Sequence, residues 1–167
     1  MITIKPNHFH FIEPFEEMEK IEKLVIHHTS RVDFTAEITH LFHQNERGWS
    51  GIGYNYFIEK DGTIVEGRGL HVGAHAYGYN RNTLGICATG DFDIEQPTKA
   101  QMTTLIEICQ HFMEKYQLQV QDVVGHRELG FDLTCPGTLF DMDAFRGILQ
   151  RLHGDGSPAS KQTNLRA

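Results

Sequence analysis

Cysteine is scarce: Cys87, Cys109 and Cys135 are the only three in 167 residues. An odd, widely spread set excludes a disulfide framework. Cys109 falls in a segment of helical periodicity and Cys87 in one of strand character. Both are read as small buried hydrophobes. No apolar run approaches the roughly 20 residues that a membrane helix needs, so no membrane insertion is expected. Cationic residues are also few, with 15 Lys and Arg against 22 Asp and Glu and a formal net charge of -7. Such a chain lacks the clustered cations of a nucleic-acid binder, so no nucleic-acid partner is expected. Any polyanionic target must be met by a local patch, because the chain as a whole offers no attraction. The opening segment, MITIKPNHFHFIEPFEE, carries one early lysine and no long apolar stretch. No signal peptide is read there, and synthesis in the cytoplasm is expected.

The remaining composition, 40% hydrophobic and 22% charged, is that of a globular chain. Its length fits one domain with a real core. Residues 1–22 read as an N-terminal segment, 23–152 as the domain, and 153–167 as a tail without apolar periodicity, expected to be disordered. His8-Phe9-His10-Phe11 alternates and reads as a short edge strand ended by Pro14, with the two histidines on its polar face. Lys23–His28 reads as a strand covered on both faces, because Leu24, Val25 and Ile26 run on without alternation. The spacing of Phe34, Ile38, Leu41 and Phe42 predicts a helix capped by Asp33, with His40 and His43 on its exposed side.

Tyr54–Glu59 and Ile64–Glu66 flank Asp61-Gly62, the strongest hairpin signal in the chain. Residues 67–82 form a long loop rich in Gly, His, Tyr and Asn. Leu84–Thr89 is read as a central strand. The longest helix follows Pro97, with Thr98 as cap, Gln101 three residues on, and a stripe from Met102 to Tyr116. A short strand ends at Gly125, and Asp141 or Asp143 can cap a last helix. Strands interrupted by amphipathic helices, one tight hairpin among them, predict a single α/β domain with a central mixed sheet flanked by helices.

His27 ends one predicted strand, His126 follows another, and Cys135 precedes the turn Pro136-Gly137. Two imidazoles and a thiolate suit Zn²⁺, and three protein ligands leave a fourth position open, as in catalytic sites. With 11 histidines in the chain, spacing alone leaves many triplets open. His27 and His28 point to opposite faces of their strand, so only one of them can reach a given metal.

An ordered set of short motifs narrows this choice. It comprises Val25-Ile26-His27-His28-Thr29, Gly53-Tyr54-Asn55-Tyr56-Phe57-Ile58, Gly67-Arg68 and Gly73-Ala74-His75-Ala76. Gly78-Tyr79-Asn80, Thr83-Leu84-Gly85-Ile86, Gly90-Asp91-Phe92, Gly125-His126-Arg127-Glu128 and Cys135-Pro136-Gly137 complete it. In this order the set resembles the zinc amidases of the T7 lysozyme and peptidoglycan-recognition-protein superfamily. The resemblance implies a zinc site in a surface groove, with His27, His126 and Cys135 as ligands and Tyr54 as a catalytic residue. It implies cleavage of the amide between N-acetylmuramic acid and L-alanine of peptidoglycan, with peptidoglycan or a muropeptide as partner.

A phage or prophage endolysin acting on the wall after release is the setting expected. A bacterial autolysin or recycling amidase and a non-catalytic muropeptide binder are the alternatives. A monomer is expected. His75, Asn80 and Arg68 are candidates for contact with substrate in the groove. Asp122 or Glu128 could orient a ligand imidazole. The chain departs from the family at Leu133, where lysine or threonine is usual. Leucine cannot stabilise an oxyanion, which leaves Thr134, or zinc with Tyr54, to do so.

Overall fold

The structure, a computed structural model, describes residues 2–156. Among these residues six strands form one mixed sheet in the order β1-β4-β3-β5-β2-β6. The strands are β1 (Ile4–Lys5), β2 (Lys23–His28), β3 (Tyr56–Ile58), β4 (Ile64–Glu66), β5 (Thr83–Ala88) and β6 (Val123–Gly125). The helices are α1 (Ala36–Asn45), α2 (Lys99–Tyr116) and α3 (Met142–Gly156). Only the β3–β4 hairpin is antiparallel; β2 lies parallel between β5 and β6. The sheet is therefore mixed and helix-flanked, as expected. No helix among the described residues is long and apolar enough to cross a membrane.

The two faces of the sheet carry different cores. Leu24, Ile26, Tyr56, Ile58, Leu84 and Ile86 join Leu105, Ile108 and Phe112 of α2 and Phe145 and Leu149 of α3 in the main core. Phe57, Val65 and Cys87 face the other way, into a smaller cluster with Ala36 of α1. Strand side chains alternate, so odd-numbered residues of β2 share the α1 side and even-numbered ones the α2–α3 side. That alternation sends His27 toward α1 and His28 toward Phe92.

Several local signals act as the sequence indicates. Thr98 Oγ1 accepts from the Gln101 amide at 3.0 Å while Gln101 Oε1 accepts from the Thr98 amide at 3.0 Å. The Asp61-Gly62 turn joins β3 to β4, and Gly62 has φ +90°, which an L side chain resists. Asp141 Oδ1 accepts from the Ala144 amide at 2.9 Å and caps α3.

Other expectations are corrected. The edge strand is Ile4–Lys5 rather than residues 8–11, where Phe9 and Phe11 instead pack on the His40 ring. Helix α1 starts later than Asp33 implies, because Thr35 is extended and its Oγ1 accepts from the Ile38 amide. Strand β3 begins at Tyr56, so Tyr54 lies just before it. Helix α3 runs on to Gly156, past the expected end at residue 152; of the expected tail, residues 157–167 lie outside the described residues.

His40 and His43 are buried rather than exposed, because the loop after α1 folds back on the helix. Their Nδ1 atoms accept the amides of Ile52 and Gly53 at 3.0 and 2.9 Å. Helical periodicity carries no information about a segment ten residues downstream. Removing the α2 cap with Thr98→Ala is expected to cost about 1–2 kcal/mol, typical of a capping threonine. Urea denaturation followed by circular dichroism measures this; an unchanged midpoint would contradict the capping role.

Candidate metal centre

The C-terminal ends of β2 and β6 bring His27 and His126 side by side, with ring centroids 4.5 Å apart. Cys135 arrives on the loop after β6. The donor atoms of His27, His126 and Cys135 all lie within 4.8 Å of one another. Cys135 Sγ is 3.5 Å from His27 Nδ1. Tetrahedral zinc, about 2.1 Å from nitrogen and 2.3 Å from sulfur, sets such a pair about 3.5 Å apart. The donor types and the Cys135–His27 separation therefore fit zinc.

The cysteine loop is held from two sides. The Arg127 amide donates to the Cys135 carbonyl at 2.8 Å. Its guanidinium donates to the carbonyls of Thr134, Gly137 and Phe140 at 3.0, 2.7 and 2.7 Å. From across the loop Asp93 accepts from Thr134 Oγ1 at 3.0 Å and from the Thr138 amide at 2.8 Å. Thr134 is thus committed to Asp93, and Leu133 lines the groove beside it. Neither supplies the oxyanion donor that a lysine at position 133 would offer.

Burial sets the electrostatics. It lowers the His27 pKa well below the usual imidazole value, with His75 and His126 adding to the effect. Burial takes His126 to about 4, and His43 to about 4 with help from Arg47 and Arg68. The rings are therefore neutral donors or acceptors at neutral pH. Burial raises the Cys135 thiol to about 12 and Tyr54 well above the usual phenol range, with Cys87 adding to the latter. A bound dication reverses the logic for the thiol, since a coordinating cysteine is deprotonated outright. Tyr54, its ring 5.2 Å from that of His27, keeps its proton and is a donor.

The expected groove contacts sit differently. His75 is buried with Nδ1 2.9 Å from His27 Nε2 and Nε2 3.3 Å from Thr83 Oγ1. Asn80 Oδ1 accepts the amides of His75 and Ala76 at 2.9 and 3.0 Å. Arg68 donates to the carbonyls of Ile52, Val72 and Gly51. His75 thus contacts the His27 ring, Arg68 ties the loop together through carbonyls, and Asn80 holds the turn at His75 through its Oδ1. His28 takes the opposite face and accepts the Phe92 amide at 3.0 Å. Glu128 accepts from the Gly125 amide and pairs with Arg146, while Asp122 accepts from the Gln119 amide. The side chain behind a ligand imidazole is therefore His75, not a carboxylate.

The centre opens into a groove of about 420 Å³ lined by Arg31, Phe34, Phe42, His43, Arg47, Trp49 and Tyr54, besides the ligands. The Arg31 guanidinium lies 5.8 Å from the Phe34 ring centroid, and that of Arg47 lies 5.4 Å from the Phe42 centroid. No carboxylate is found among the described residues lining this groove. The site is thus locally cationic on a chain of net charge -7. Sequence reading misses this patch, because Arg31 and Arg47 flank α1 and meet only when the helix docks.

A family model described as N-acetylmuramoyl-L-alanine amidase matches residues 17–138. The chain belongs to this family of hydrolases. It is 34% identical over 133 residues to the human N-acetylmuramoyl-L-alanine amidase, spanning 71% of this chain but 23% of that protein. It is 36% identical over 124 residues to peptidoglycan-recognition protein SC2 of Drosophila melanogaster, covering 68% of this chain and 67% of the relative. The endolysin of Enterobacteria phage T3 is 40% identical over 98 residues, covering 53% of this chain and 65% of the endolysin. Among solved structures, N-acetylmuramoyl-L-alanine amidase LysC from Clostridium intestinale URNW superposes with a TM-score of 0.84 at 33% identity. That superposition covers 90% of this chain and 99% of LysC.

Histidines kept neutral by the fold make this family member acid-sensitive. The unfolded chain takes up protons below the ordinary imidazole pKa of about 6.5, whereas folded His43 resists until about 4. Stability is therefore full above about pH 6.5 and falls as pH drops toward 4, by about 1.4 kcal/mol per pH unit for each such histidine. His43→Gln is expected to flatten that slope in metal-free protein, read from denaturant midpoints between pH 7 and 4.5. An identical slope would contradict a neutral His43.

Proposed function

We propose that the chain is a zinc-dependent N-acetylmuramoyl-L-alanine amidase that hydrolyses the bond between the lactyl group of N-acetylmuramic acid and L-alanine. The observation that carries this reading is the convergence of the His27, His126 and Cys135 donors within 4.8 Å, on the floor of an open groove. Bound zinc supplies Lewis acidity, which activates water and polarises a carbonyl. Tyr54, protonated and with its ring 5.2 Å from that of His27, is the residue we assign as hydrogen-bond donor to the scissile carbonyl oxygen, where charge develops.

Arg31 and Arg47 supply the local attraction for an anionic substrate that the acidic chain otherwise lacks; stem-peptide carboxylates suit them. Phe34, Phe42 and Trp49 give the groove apolar walls for the sugar and peptide faces. Relatedness to a phage endolysin supports a lytic role of phage or prophage type. In that role the protein is made in the cytoplasm and meets the wall after release.

Digestion of purified peptidoglycan tests the reading. The expected products are new L-alanine amino termini without new glycan reducing ends, with one zinc per chain by elemental analysis. Cys135→Ser is expected to lose both zinc and activity. Tyr54→Phe is expected to keep zinc and lose about 10²–10³-fold in rate, the usual cost of one such donor. Tight muropeptide binding without cleavage would replace the proposal with a binding role. Leu133→Lys is expected to raise turnover at unchanged zinc content, measured in the same digestion, because neither Leu133 nor Thr134 offers a donor.

A further inference from the structure

One backbone carbonyl dictates the protonation of the whole chain of groups behind the centre. Thr83 Oγ1 lies 2.7 Å from the Tyr79 carbonyl oxygen. A carbonyl can only accept, so the hydroxyl hydrogen of Thr83 points there. The Thr83 oxygen has no second hydrogen to give, and His75 Nε2 at 3.3 Å must donate to it. His75 is buried, and its ring nitrogens meet only His27 and Thr83, with no carboxylate to hold a second proton, so the neutral ring carries one hydrogen. With that hydrogen on Nε2, His75 Nδ1 is a lone-pair acceptor. His27 Nε2, 2.9 Å away, must therefore donate to it. The lone pair of His27 is left on Nδ1, the atom that faces Cys135 Sγ at 3.5 Å.

We propose that His75 and Thr83 are positioning residues that lock His27 in the Nε2–H tautomer and aim its Nδ1 lone pair into the metal centre. The inference rests on the zinc reading above. Two further features suit the role. Gly85 leaves room for the imidazole, since a Cβ there would lie 2.5 Å from His75 Cγ. Asn80 holds the turn that carries His75 through the two amide bonds to its Oδ1. The ring is thus clamped from its backbone, its flat face and its far nitrogen. Partners of this kind make ligand imidazoles more basic and restrict their rotation.

Three variants of the full chain test this: Thr83→Val, His75→Phe and His75→Gln. Zinc affinity is read by competition with a chromogenic chelator, and the His27 tautomer in metal-free protein by ¹⁵N chemical shifts. Wild type is expected to show His27 as the Nε2–H form. Thr83→Val is expected to mix the tautomers and weaken zinc about tenfold, and His75→Phe to weaken it about 10–100-fold. His75→Gln is expected to recover most of the affinity, because an amide can accept from His27 and donate to Thr83 at once. A merely structural role would not separate Gln from Phe at matched thermal stability. An Nδ1–H tautomer in wild type, or wild-type zinc affinity in both Thr83→Val and His75→Phe, would overturn the inference. A wild-type chain that binds no zinc would sink the zinc reading instead, and the tautomer measurement would still decide this one. If the Phe variant fails to fold, Thr83→Val and His75→Gln carry the comparison.

Discussion

Strand β2 lies between two parallel neighbours, with its apolar residues fully buried, and so its side chains must sort strictly by parity. Leu24 and Ile26 anchor one side in the main core. A slip of one residue would exchange core and centre at once, putting His27 among the phenylalanines of the α2–α3 layer. Everything at the centre follows from that register. His126 is delivered by β6, which pairs Gly125 with Ile26, and the groove wall by α1, on the side that His27 faces. Hydrophobic burial on one side of the sheet therefore sets the position of a candidate metal ligand on the other.

The centre is assembled from groups that do not carry charge while metal-free. Its imidazoles are held neutral and its thiol and phenol protonated, all by burial. Long-lived charges are placed outside, on Arg127, Asp93, Arg31 and Arg47. Arg127 and Asp93 secure the cysteine loop through carbonyl, amide and hydroxyl groups, without touching a donor atom of the three. The support therefore leaves the three candidate donor atoms clear of charged partners.

Much of this was legible in the sequence, and the pattern of hits and misses has a physical basis. The Thr98–Gln101 cap, the Asp-Gly hairpin and the two-faced burial of β2 depend on neighbours within a few residues. His27, His126 and Cys135 were legible only through the ordered motifs, since spacing alone could not choose among the histidines. The misses at the centre are contacts across sequence. Nothing in the periodicity of α1 announces that His40 and His43 will accept amides from the following loop. Nor does the local pattern announce the bonds of Arg68 and Asn80, to carbonyls distant in sequence and to the amides of a turn. His75 belongs to the same class: its role depends on a threonine eight residues away and a glycine on the adjoining strand.

Asn55 completes the picture of the groove. Fully buried, it donates to the Gly69 and His71 carbonyls at 2.8 and 2.7 Å and accepts the Gly85 amide at 2.7 Å. One amide thereby rivets the long loop to the middle of the sheet. The part of the groove wall that this loop builds, at Ala74 and His75, is anchored to the sheet through those bonds. The other side carries Arg31 and Arg47, exposed side chains whose guanidiniums lie over the Phe34 and Phe42 rings. One side of the groove is thus riveted by buried amide and carbonyl groups, and the other is built from cations laid on aromatic rings.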